Sequence, residues 1–178
     1  MKINSGEYKY RNMEIPEGIR PTTEKVREAV FSMLTGKISG ATVLDLFSGS
    51  GSLGLEALSR GAEKCYFNEG NRKNFSVLKQ NVLHCRAEKK AVLLNNDFRK
   101  ALSEIDESIN IVFLDPPYKS GFYEDAMILL EENRLLTSDS LVIAEHLYNN
   151  PLDGNYGNLY KIKEKRYGTI AIDIFKQQ

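Results

Sequence analysis

The sequence predicts an α/β fold, in which the strands of a mostly parallel sheet alternate with helices. Residues 43–46 form an apolar run that ends at a glycine loop, and apolar residues at helical spacing follow this loop. The same order of apolar run and helical pattern recurs along the chain, as is typical of parallel sheets. The tail differs, because residues 160–167 and 169–175 alternate in polarity on either side of Gly168 and predict an antiparallel hairpin.

The N-terminal segment is predicted to be a hairpin or extended arm followed by a helix. Residues 3–15 alternate between apolar and polar side chains, with Lys, Arg and Tyr interleaved. These side chains suit either a grip on an RNA backbone or an amphipathic edge element, and both interpretations stay open. Thr22 or Thr23 then caps a helix whose apolar face runs through residues 26–34.

The glycine loop is the first candidate binding site. Gly49, Gly51 and Gly54 have the spacing G-x-G-x-x-G between a predicted strand and a predicted helix. Glycine lets the backbone turn sharply and approach a ligand closely, and a helix N-terminus favours an anionic group. NAD(P) and S-adenosylmethionine (SAM) both fit such a loop, and Glu69 has the spacing of a ribose partner. A structural turn without a ligand is the alternative.

Acidic residues end the predicted strands. Asp45, Glu69, Asp97 and Asp115 each close or directly follow an apolar run. Because the carboxyl ends of parallel strands lie at one edge of a sheet, we expect these four side chains to converge on one cleft. A single such acid is explained as a helix cap, but four together favour a functional site.

The motif Asp115-Pro116-Pro117-Tyr118 carries the candidate chemistry. Its two prolines restrict the backbone, so the Asp115 carboxylate and the Pro116 carbonyl can both accept hydrogen bonds from an exocyclic amine. Tyr118 could stack on the base that bears this amine. Since these two hydrogen bonds draw the amine nitrogen towards tetrahedral geometry, its lone pair becomes available for attack on a sulfonium methyl. The motif therefore favours SAM over NAD. A rigid turn is the structural alternative.

Composition narrows the class of protein. The 178 residues carry no net charge, and we expect a single domain, with residues 1–40 as a hairpin and helix extension and residues 41–178 as the core. Two isolated cysteines and two isolated histidines predict reduced thiols and no metal site. No apolar run reaches membrane-spanning length, so we expect a soluble, cytoplasmic protein. The basic residues 72–100 indicate either solvated helix faces or an RNA contact.

The motifs together resemble the RsmD family, bacterial methyltransferases that modify the N2 atom of a guanine in 16S ribosomal RNA. The Asp-Pro-Pro-Tyr motif is shared with other amino-methyltransferases, whereas the long glycine motif is specific. Tyr10 departs from the family, whose members usually carry glycine there. The resemblance lies in Ser5-Gly6 with Tyr8-Lys9, Arg20-Pro21-Thr22-Thr23 with Val26-Arg27-Glu28, residues 45–62 and Asp115-Pro116-Pro117-Tyr118.

This resemblance implies a Rossmann-like class I SAM-dependent methyltransferase, with seven strands, mostly parallel, and an antiparallel last strand. The loop after the first strand would wrap the methionine part of SAM, Glu69 would bind the ribose, and the residues after the third strand would border the adenine. The expected cofactor-binding residues are Asp45, Phe47, Gly49, Gly51, Glu69, Asp97 and Phe98.

The resemblance also implies a partner, 16S rRNA in the small ribosomal subunit, for a chain that we expect to be a monomer. Two other functions stay open: a methyltransferase for DNA adenine or cytosine amino groups, and a SAM-binding module without turnover. The expected catalytic residues are Asp115, Pro116, Pro117 and Tyr118, and the expected substrate-binding residues are Arg20, Thr22, Arg27 and Lys119.

Overall fold

The computed structural model describes residues 1–117 and 121–178. In these residues one sheet lies between two groups of helices. The helices are α1 (Glu24–Met33), α2 (Ser52–Ser59), α3 (Arg72–Cys85), α4 (Phe98–Glu104) and α5 (Phe122–Glu132). The strands are β1 (Thr42–Asp45), β2 (Lys64–Asn68), β3 (Ala91–Leu94), β4 (Ile109–Leu114), β5 (Leu136–Leu147), β6 (Asn155–Tyr156), β7 (Leu159–Tyr167) and β8 (Ile170–Gln177).

The sheet has the strand order β3-β2-β1-β4-β5-β8-β7-β6. Strands β1 to β5 are parallel, and β1 lies between β2 and β4, with Val43 in register with Cys65 on one side and Ile111 on the other. Beside β1 the order in which successive strands are added across the sheet therefore reverses, while the strands stay parallel. In open α/β sheets this reversal opens a crevice at the carboxyl ends of the strands, where ligands bind.

Both faces of the central strands are buried. Successive residues of β1 point to opposite sides, so Val43 packs with α1 to α3 whereas Leu44 packs with α4 and α5. Ile111 and Val112 of β4 divide in the same way. This explains why the strands appear in the sequence as continuous apolar runs. Across the two described ranges, no helix is both long and apolar enough to cross a membrane.

The C-terminal strands are antiparallel, as predicted. β8 pairs with β5 and β7 in antiparallel register, and Gly168 makes the turn between β7 and β8 with φ of +63°. The predicted mostly parallel sheet with an antiparallel hairpin is thus confirmed. The described residues contain one strand beyond the predicted seven. This strand is β6, whose two residues are too short to show a period of two in the sequence.

The N-terminal residues fold back on themselves and pack against α2. Lys2 and Asn12 form an antiparallel bridge. A Cβ on Gly6 would lie 1.8 Å from the Ser59 carbonyl oxygen, so only glycine fits there. Tyr10 has φ of +70°, a conformation that favours glycine and accounts for the residue usual in the family. Thr23, one of the two predicted caps, accepts a hydrogen bond from the Val26 amide at the start of α1.

Candidate active site

A cavity of about 530 Å³ lies at the carboxyl ends of the parallel strands. This volume is in the usual range for small-molecule sites, about 300–1,000 Å³. The cavity brings together side chains from the loops after β1, β2, β3 and β4 and from the segment before α1. Its walls contain ten of the residues predicted from the sequence: Arg20, Thr22, Phe47, Gly49, Glu69, Asp97, Phe98, Asp115, Pro116 and Pro117.

The three glycines of the loop have different structural roles. Gly49 lines the cavity and has φ of +54°, which allows the backbone to turn there. Gly51 and Gly54 lie behind the cavity wall and let α2 pack closely on its neighbours. A Cβ on Gly51 would lie 2.5 Å from Leu78 Cδ1, and one on Gly54 would lie 2.3 Å from Phe67 Cε1. Gly51, predicted to bind the cofactor, therefore shapes the loop from outside the cavity wall.

Asp45 also lies behind the cavity. It is 3 % exposed, and its Oδ2 accepts a hydrogen bond from the Gly54 amide at 3.1 Å. The unpaired donors at the start of α2 are thus partly satisfied by the protein's own carboxyl group. Burial raises the pKa of Asp45 to about 7, although the bond from Gly54 acts in the opposite direction. Of the four acids predicted to converge on the cleft, this one lies one layer beneath it.

Glu69 connects β2 to the glycine loop. Its Oε2 accepts from the Gly49 amide at 2.9 Å, and its Oε1 accepts from the Asn71 amide at 3.0 Å. The side chain is half-buried and lines the cavity. Because each carboxylate oxygen has more than one lone pair, both can accept further hydrogen bonds from a hydroxyl-bearing ligand.

An aromatic wall closes one side of the cavity. Asp97 caps α4 by accepting from the Arg99 amide at 2.9 Å, and this cap places Phe98 at the cavity. The Phe98 ring lies 5.2 Å from that of Phe47 and 4.9 Å from that of Phe122. Such a wall suits stacking with a planar aromatic ring such as adenine.

Asp115 lies directly after β4, between the cavity and a second buried acid. The Thr22 hydroxyl oxygen is 3.5 Å from Asp115 Oδ2 and 3.1 Å from Glu145 Oε2. Desolvation, the Glu145 carboxylate and Asp45, in that order, raise the pKa of Asp115 well above its usual range. Desolvation likewise raises the pKa of Glu145, while Thr22 and Arg20 act against that rise.

Of the three remaining predicted substrate or catalytic residues, Arg27 lies away from the cavity. Arg27 is 1 % exposed and donates to the Lys2 carbonyl and, at 3.1 Å, to Asn4 Oδ1. It anchors the N-terminal arm, so a substrate contact does not fit its position. The sequence pattern placed Arg27 near the helix entry but did not show which face of α1 it occupies. The other two, Tyr118 and Lys119, lie outside the described residues.

Two residues that support the site were not predicted from the sequence. Glu145 is one, although it too is an acid at the carboxyl end of a predicted strand, and this signal could have found it. Asn81 is the other: its Nδ2 donates to the Ser50 carbonyl at 2.8 Å and to the Glu14 carbonyl at 2.9 Å, and its Oδ1 accepts from the Glu14 amide at 2.8 Å. No local pattern marks Asn81, because its partners are distant in the sequence.

The donors and acceptors at this cavity fit SAM. Glu69 could offer carboxylate oxygens to a ribose, the ring of Phe98 could offer a flat face to adenine, and Asp115 has a carboxyl group whose ionised form a sulfonium would favour. In the part of the chain that the structure covers, no group of three or more His, Cys, Asp or Glu side chains could hold a metal ion.

The parallel sheet with its antiparallel end, the glycine loop and the acidic cleft define the Rossmann-like class of methyltransferases. The family model "Conserved hypothetical protein 95" matches residues 1–176. Ribosomal RNA small subunit methyltransferase D of Escherichia coli is 34% identical over 180 residues, covering 100% of this chain and 90% of that protein. The protein of the same name from Haemophilus influenzae is 35% identical, covering 99% and 93%.

A solved protein structure has a similar fold. The Escherichia coli protein yhhF has a TM-score of 0.90 and 32% identity, covering 100% of this chain and 98% of that chain. The chain belongs to the family of conserved hypothetical protein 95, the RsmD-like family of rRNA methyltransferases. Use of SAM follows from membership of this methyltransferase family.

Proposed function

We propose that this chain transfers the methyl group of SAM to the N2 amino group of one guanine in 16S rRNA of the small ribosomal subunit. The observation that carries the proposal is the position of Asp115, Pro116 and Pro117, which line the same cavity as Gly49 and Glu69. The residues proposed to accept the amine and those proposed to bind the cofactor thus line one cavity. The names of the two methyltransferase D relatives support ribosomal RNA of the small subunit as the substrate.

The chemistry follows from the acceptors beside the cavity. Bound SAM supplies an electrophilic methyl group on a sulfonium. The guanine amine is a weak nucleophile, because its lone pair is delocalised into the ring. Asp115 and the Pro116 carbonyl would accept hydrogen bonds from its two N–H groups and turn the lone pair out of the ring plane toward the methyl group. Asp115 in its ionised form would then take the proton that the nitrogen loses after transfer.

The other cavity residues would position the two ligands. Glu69 would bind the ribose hydroxyls, and Phe98 with Asp97 would border the adenine. Phe47 and Gly49 would contact the cofactor from the loop, with Asp45 and Gly51 maintaining the loop's shape from behind.

Contact with the RNA would involve groups outside the cofactor pocket. Arg20 is exposed at the cavity mouth, where it could bind a phosphate. From the sequence alone, Tyr118 is expected to stack on the target base and Lys119 to bind the RNA. The basic residues of α3, such as Arg72, Lys73 and Lys79, are exposed and provide a further candidate RNA surface.

The test uses small subunits from a bacterial strain that lacks the modification. The purified protein is incubated with these subunits and SAM labelled in the methyl group, and the digested rRNA is analysed by mass spectrometry. We expect one labelled N2-methylguanine, with Asp115→Asn as the inactive control. Absence of label from every rRNA would contradict the proposal, and label in duplex DNA alone would favour the DNA methyltransferase alternative.

A further inference from the structure

Thr22 lies between two carboxyl groups, that of the buried Glu145 and that of the half-buried Asp115, and has a single hydroxyl proton to offer them. A threonine hydroxyl has one hydrogen to donate and can accept through its lone pairs. Its oxygen lies within reach of both Glu145 Oε2 and Asp115 Oδ2, at 3.1 and 3.5 Å. If both acids were ionised, one of these contacts would bring two acceptors together without a proton between them. A chain of two hydrogen bonds therefore requires one of the two acids to be protonated.

The surroundings indicate which acid holds the proton. The shorter distance directs the Thr22 hydrogen to Glu145. Arg20 and His146 favour the ionised form of Glu145 electrostatically. In the described ranges, the charged groups that act on Asp115 are two carboxyl groups, that of Glu145 on β5 and that of Asp45 on β1. Without a bound cofactor we therefore expect the proton on Asp115, whose carboxyl O–H donates a hydrogen bond to the Thr22 hydroxyl oxygen.

A protonated Asp115 has lost part of its capacity to accept hydrogen bonds from an amine. Because Asp115 lines the cavity, a cation bound in that cavity favours its carboxylate form. SAM carries such a cation in its sulfonium, whereas S-adenosylhomocysteine has a neutral sulfur. Binding of the methyl donor and ionisation of the acceptor are therefore expected to be linked.

We propose that Glu145 is a positioning residue that shares one proton with Asp115 through the Thr22 hydroxyl, and that the pair releases this proton when the sulfonium of SAM enters the cavity. The inference rests on the proposed function, since it concerns the same amine acceptor. Asp115 becomes a full acceptor only when the methyl donor is present, and Glu145 acts on it without lining the cavity.

Proton release is measurable without any turnover. Titration calorimetry of the full chain with SAM near pH 7, in two buffers of different ionisation enthalpy, gives the number of protons released. We expect a value approaching about one proton for SAM and a clearly smaller one for S-adenosylhomocysteine. The ratio of the two affinities should accordingly increase with pH, by at most about tenfold per unit.

Variants identify the groups responsible. Glu145→Gln removes the negative charge that faces Asp115 and should reduce the proton release by more than half, to about the value for S-adenosylhomocysteine. Asp115→Asn cannot hold the proton and should release none, and it carries the test if the Glu145→Gln variant fails to fold. Glu107→Gln is the matched control, because Glu107 pairs with Lys64 and Tyr66 away from the cavity and should leave the release unchanged.

The outcomes separate this inference from the proposed function. Equal release for SAM and S-adenosylhomocysteine, or an unchanged release in Asp115→Asn, would overturn the shared proton even if rRNA is methylated. Proton release as expected, without methylation of any rRNA, would support the pair and overturn only the substrate. Failure of SAM to bind would overturn both.

Discussion

Glu69 accepts a hydrogen bond from the Gly49 amide at 2.9 Å, so the acid after β2 holds the glycine loop after β1. One carboxylate thereby fixes the loop and faces the cavity. The two adjacent parallel strands bring these residues together, although 20 positions separate them in the chain. Loss of this side chain should affect both the shape of the loop and its ligand.

Glu69→Ala should weaken SAM binding by about ten- to a hundredfold, because a charged hydrogen-bonding group contributes about 1.5–3 kcal/mol. Calorimetry gives the dissociation constant. Glu69→Gln is the matched variant: its amide oxygen can still accept from Gly49, so we expect a smaller loss. Equal affinity of all three proteins would exclude a ribose contact.

Asp115→Asn should lower the methyl-transfer rate at least about a hundredfold, since the Asn amide nitrogen donates where the amine needs an acceptor. SAM affinity near pH 7 should fall by about tenfold, because the Asn amide cannot ionise to the carboxylate that the sulfonium favours. Single-turnover rates and calorimetry measure the two quantities separately. A variant that transfers methyl groups at the normal rate would remove Asp115 from the mechanism.

Asn81→Ala should lower the free energy of unfolding by about 2–3 kcal/mol, because three hydrogen bonds to backbone groups lose their partner, a buried one to Ser50 and two part-buried ones to Glu14. Urea denaturation measures the change. Asn133→Ala is a suitable control, since this half-buried asparagine makes one bond to the Leu129 carbonyl. If both variants lost the same small amount, Asn81 would not join the arm to the glycine loop.

Asp45 should make stability depend on pH. Burial raises its pKa from 3.8 to about 7, so the folded state binds a proton that the unfolded state releases. This contribution is complete below about pH 4 and is lost as the pH rises toward 7, by as much as about 4 kcal/mol. Asp45→Asn keeps an acceptor for Gly54 and should flatten the pH dependence of the unfolding free energy. Urea denaturation curves with the same pH slope in both proteins would contradict this.

The elements of the fold were predictable because their signals are local. Apolar runs, helical spacing and the glycine loop each lie within a few consecutive residues, and the parallel arrangement then places the strand ends at one edge. Glu69, Asp97 and Asp115 were found at the cavity for this reason. β6 was not predicted, because a strand of two residues is too short to show alternating polarity in the sequence.

The sequence alone determined the class of fold, the edge of the sheet that carries the cavity, and the Asp-Pro-Pro-Tyr motif that we propose accepts the amine. Only the tertiary structure decided which side chains face the cavity: Asp45 turns back to Gly54, and Arg27 is buried under the N-terminal arm. It also brought Thr22 to Glu145, 123 positions along the chain. Periodicity shows that a residue is buried or exposed, whereas its partners depend on packing between elements that are distant in sequence.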